Sequence, residues 1–136
     1  MLPPEELTDY IDDPEQHRWL HHGMTVAEGF CLDHLPPNRD HQAHVVGLLA
    51  TVSAYLWGSS GGLPSWGSLD VPGLIAFIRG YELPRHIDDG FFDTLVTFYD
   101  YLAELHLIPQ PIAERIQRDL FVANHVLEEK TGRVLH

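Results

Sequence analysis

The chain has 136 residues, 44% of them hydrophobic and 21% charged, a composition that fits one soluble globular domain large enough to bury a core. With 20 Asp and Glu against 8 Lys and Arg, its formal charge of -12 excludes general attraction to a nucleic-acid backbone and makes basic proteins the natural electrostatic partners. The lone cysteine, Cys31, excludes an intramolecular disulfide framework and fits a reducing compartment.

The amino-terminal stretch MLPPEELTDYIDDPE is rich in carboxylates and has no Lys or Arg before Arg18, unlike the basic, then apolar, start of a secretory signal. The longest apolar stretch, VVGLLATVSAYLW at 45–57, is too short to span a bilayer. A cytoplasmic location is therefore expected, without membrane contact.

Helix signals recur along the whole chain. Pro3 and Pro4 open a short helix over 4–11, since a missing N–H costs nothing in a first turn. Asp13 caps a second helix that stops at Gly23. Thr25 and Glu28 have the spacing of a capping box and open a third, which Pro36 and Pro37 close. Asn38 caps a fourth, over 39–57, whose Val45, Leu48, Leu49, Val52 and Leu56 form one apolar stripe.

The segment GSSGGLPSWGS at 58–68 has loop composition but holds Leu63 and Trp66. With Trp57, these are the candidate interface residues, because a rigid ring on a loop buries much area at little entropic cost. Asp70 caps a further helix with Val71, Leu74, Ile75 and Ile78 on one face. Asp88 or Asp89 starts the next, in which Phe91, Phe92, Leu95, Val96, Phe98, Tyr99, Leu102 and Leu105 cover more than one face. Pro111 begins the last, with Ile112, Ile116, Leu120, Val126 and Leu127 inward and Thr131-Gly132 at its end. The expected fold is all-α: six to seven helices in a single orthogonal or bundle-like domain over 1–136, with the 58–68 loop dividing two halves.

The stretch SLDVPGLIAFIRGYEL at 68–83, followed by FFDTLVTFYDYLAELHLIP at 91–109, resembles the helical core-binding domain of tyrosine recombinases. The resemblance implies a similar small helical packing. The chain lacks that family's Asn-Pro turn and the basic residues of a DNA clamp, so no functional residue and no DNA binding are carried over.

Between residues 17 and 44 three pairs have metal-ligand spacing: His17 with His21, Cys31 with His34, and His41 with His44. Side chains three or four apart share a helix face, and three such pairs on three successive helices could converge on zinc or another divalent transition metal. None of the established metal-binding spellings is present, so the competing reading is six ordinary helical residues. No Gly-x-Ser-x-Gly elbow occurs, and the only lysine, Lys130, is far from Gly61-Gly62, which excludes a phosphate-binding loop.

The leading expectation is a non-enzymatic, cytoplasmic helical interaction or regulatory module that binds a partner protein or a second copy of itself and needs no cofactor. A metal-binding protein or metal-dependent enzyme using the histidine pairs is the second reading. An acidic nucleic-acid mimic that occupies a basic protein is the third.

Overall fold

A computed structural model describes residues 14–59, 64–80 and 89–131. Among these residues there are five α-helices, one 3-10 turn and no strand, and no helix is long and apolar enough to cross a membrane. The helices are α1 (Pro14–His34), α2 (Arg39–Ser59), α3 (Val71–Gly80), α4 (Asp89–Glu104) and α5 (Gln110–Thr131), with the 3-10 turn at Trp66–Ser68. The chain groups into two compact units, Met1–Pro64 and Ser65–His136. The expected helix over 4–11 lies outside the described residues.

The first unit is built on the pairing of α1 with α2. The helix break expected at Gly23 does not occur: α1 runs unbroken through it, and the second and third expected helices are one. Glycine inside a helix costs only about 1 kcal/mol relative to alanine, and Gly23 is a buried residue of α1. Thr25 does not cap; its Oγ1 donates back to the His21 carbonyl at 3.0 Å, as a threonine inside a helix does.

After His34 the chain turns through Leu35–Asn38, and Asn38 caps α2 as expected. Its Oδ1 accepts from the His41 N–H at 3.0 Å, and its carbonyl accepts from the Gln42 N–H at 2.9 Å. Val26, Ala27, Phe30 and Cys31 from α1 and Val45, Leu48, Leu49, Val52 and Leu56 from α2 are buried. A long-range bond links the outer part of the pair: Trp19 Nε1 donates to the Ser53 carbonyl at 2.8 Å.

In the second unit α4 and α5 form the main pair, with α3 and the 3-10 turn also against α5. Val71, Leu74, Ile75 and Ile78 are buried, and so are Phe91, Phe92, Leu95, Phe98, Tyr99 and Leu102, as their spacing predicts. Gln117 ties the pair, its Nε2 donating to the Val96 carbonyl at 2.9 Å and to Asp100 Oδ1 at 2.8 Å.

Helix α4 ends at Glu104, earlier than the apolar pattern implies. His106 takes a left-handed backbone, φ 60°, and donates its N–H to the Ala103 carbonyl, while the Leu107 N–H reaches the Leu102 carbonyl, both at 3.0 Å. This paired closure is a Schellman end. It turns Leu105 out, so the residue expected inward is 45% exposed.

Candidate functional site

The continuity of α1 decides how the histidine pairs lie. His17 and His21 share one helix with Cys31 and His34, and at 1.5 Å per residue His21 and Cys31 stand about 15 Å apart along its axis. The three successive helices expected to carry the pairs are two in the structure, and two of the pairs occupy opposite ends of one rod. His41 and His44 start α2, at the end of the hairpin near Cys31 and His34. Among the described residues no group of three or more His, Cys, Asp or Glu is placed to hold a metal ion.

The individual environments are also ordinary for a helical protein. His17, His21, His34, His41 and His44 are exposed. His34 stacks on Phe30 with ring centroids 5.4 Å apart. Cys31 is buried, its Sγ 3.9 Å from the Gln42 carbonyl, and loss of solvent, with Glu28 adding to it, raises the thiol pKa. A thiol so placed stays protonated at neutral pH and is a poor nucleophile.

The interface candidates separate in the structure. Trp66 is 3% exposed and lies in the core of the second unit, its ring edge-on to Phe98 with centroids 5.2 Å apart. Its carbonyl accepts from the Tyr99 hydroxyl at 2.7 Å, and burial pushes that phenol's pKa far up. The next residue is held as well: Arg115 donates to the Gly67 carbonyl at 2.9 Å, and a Cβ on Gly67 would come 3.1 Å from an Ile112 methyl. The indole of Trp66 therefore fills the interior, and a change there acts on the core. Trp57 is half-buried and lines a cleft of the first unit. Leu63 lies outside the described residues.

The surface that the sequence reading passed over is the outer face of α5. Phe121 is 72% exposed, Val122 59% and Val126 42%, although Val126 was expected inward. The helical rotation explains the miss. At about 100° per residue, Val126 sits roughly 240° round from the buried Leu120, and Phe121 and Val122 follow Leu120 too closely to share its face. The signal was available in the pair Phe121-Val122 directly after a core leucine.

Phe121 and Val122 line a shallow groove with Glu114, Gln117 and Arg118, and His125 stacks parallel to Phe121 with centroids 6.5 Å apart. Phe121 stands one turn beyond Gln117, the residue that bonds to α4, whereas Val122 and Val126 lie about 140° and 180° round the helix from Gln117 and turn away from α4. On α4, Asp93, Thr97, Asp100 and Glu104 are all exposed and spaced three or four apart. The second unit thus exposes apolar side chains on α5 and a row of carboxylates on α4.

No protein-family model, curated protein or solved structure matches the chain.

Proposed function

We propose that the chain is a non-enzymatic helical module that binds another protein, with the outer face of α5 as its docking surface. The observation that supports this reading is the exposure of Phe121, Val122 and Val126 along one helix, since large apolar side chains at these exposures are costly in water unless something covers them. The occupant is a basic amphipathic helix of a partner. Its apolar side lies on Phe121 and Val122, and its Lys or Arg side chains meet the exposed Asp93, Asp100 and Glu104 of α4. A second copy of the chain is the weaker fit, because two molecules of formal charge -12 repel.

The experiment uses the full chain and a synthetic 18-residue Leu/Lys helix with leucine along one face, titrated by calorimetry, with light scattering of the chain alone. Binding should weaken about tenfold in Phe121→Ser, equivalent to roughly 1.4 kcal/mol. The double change Asp100→Asn and Glu104→Gln should lower both affinity and its salt dependence. Phe121→Ser should leave folding within about 0.5 kcal/mol, because its ring is already in solvent. Binding equal in all variants would remove the α5 face from consideration. Self-association abolished by Phe121→Ser would make a second copy the occupant instead.

A further inference from the structure

The first unit carries a cleft that the α5 surface does not involve. Its volume is about 260 Å³, and Glu15, Arg18, Trp19, His22, Trp57 and Pro64 line it. The four residues from α1 fall at i, i+3, i+4 and i+7, one face of one helix; Trp57 comes from the last turn of α2 and Pro64 from the chain beyond it.

Two half-buried indoles in one small cleft are unusual unless both are core, and here each keeps part of its surface open. Trp19 is fixed in place, because its Nε1 donates to the Ser53 carbonyl at 2.8 Å. With that N–H committed, what the ring offers to a ligand is its π face. His22 stands with its ring centroid 5.6 Å from that of Trp19, and loss of solvent lowers its pKa, so at neutral pH it contributes a ring and not a charge. The faces of tryptophan carry negative electrostatic potential and attract cations, most of all weakly hydrated alkylated ammonium groups.

The rim adds two opposite charges. Glu15 brings a carboxylate and Arg18 a guanidinium, both exposed. A purely apolar ligand would use neither, and a simple cation would be repelled by Arg18. A molecule bearing an alkylated ammonium and, a few bonds away, an anionic group satisfies the rings and both rim charges together.

We propose that this cleft binds a methylated ammonium group carried on a small zwitterion, the cation against Trp19 and Trp57 beside Glu15 and the anionic end toward Arg18. The chemistry is common to a free zwitterion and to a zwitterionic lipid headgroup. The test is a titration of the isotope-labelled full chain with phosphocholine, following the three indole N–H resonances. Those of Trp19 and Trp57 should move, and that of Trp66 should stay. Choline, lacking the anion, should bind more weakly, and its uncharged carbon isostere 3,3-dimethylbutanol should not bind.

Trp57→Ala should weaken phosphocholine about tenfold, Trp57→Phe should retain most of the affinity, and Glu15→Gln should cost a few-fold. Arg18→Gln should erase the advantage of phosphocholine over choline. Binding to phosphatidylcholine vesicles as well as to free phosphocholine would identify a headgroup site; binding to the free molecule alone would identify a soluble ligand. The proposal is overturned by unmoved Trp19 and Trp57 resonances at millimolar probe, by an equal response to the carbon isostere, or by vesicle binding without binding of free phosphocholine.

Discussion

His22 shows what a single side chain's surroundings do to its chemistry. Its ring sits against Trp19 in a partly desolvated position that holds its pKa below the ordinary 6.5. In the unfolded chain the same imidazole takes up a proton more readily, so its contribution to stability is intact above pH 6.5. That contribution is lost as pH falls from there toward the lower folded value. Urea unfolding of the first unit should therefore weaken between about pH 7 and pH 5 more steeply in the natural chain than in His22→Gln. Equal slopes would show that the imidazole is solvated in solution. The sequence brings His17 and His21 forward by their spacing and passes over His22. Spacing reports neighbours on one helix, whereas the environment of His22 includes Trp57 on another.

At the scale of the element, the end of α4 carries a cost that can be removed. His106 adopts φ 60° to close the Schellman turn, a region that disfavours any residue with a Cβ. His106→Gly should stabilise the second unit by about 0.5–1 kcal/mol, seen as a higher denaturant midpoint with unchanged slope. A lower midpoint would mean that the imidazole makes compensating contacts. Most of the helix pattern was legible in the sequence. Asn38 caps α2 as its side chain predicts, and the stripes of α2 and α3 are buried residue for residue. What misled was punctuation within a helix. Gly23 and Thr25 each favour a break by about a kcal/mol or less, and the packing of α1 along α2 outweighs both. That same continuity puts His17 and His21 at the far end of one helix from Cys31 and His34, where the sequence had divided them between two.

For the whole molecule the formal charge of -12 was legible at once, but its arrangement was not. The carboxylate row of α4 is visible only after Asp93, Asp100 and Glu104 are known to be exposed together on one helix. Excess like charge in a folded chain repels itself, and salt screens the repulsion. Raising ionic strength from about 0.01 to 0.15 M should therefore raise the thermal midpoint by a few degrees, measured by calorimetry. A falling midpoint would show that paired charges outweigh the repulsion. Cys31, buried and with a raised thiol pKa, should not complicate such heating cycles with rapid oxidation at neutral pH.

The three tryptophans divide between the units, Trp19 and Trp57 in the first and Trp66 in the second. Their surroundings differ in kind: two indoles touch water, and the third is buried in an apolar interior against Phe98, with its carbonyl held by Tyr99. An indole's excited state is lowered by mobile water dipoles, so the first two emit toward the red and Trp66 toward the blue. The chain thus carries an intrinsic two-colour label in which each half of the molecule shines at its own wavelength, without any dye attached.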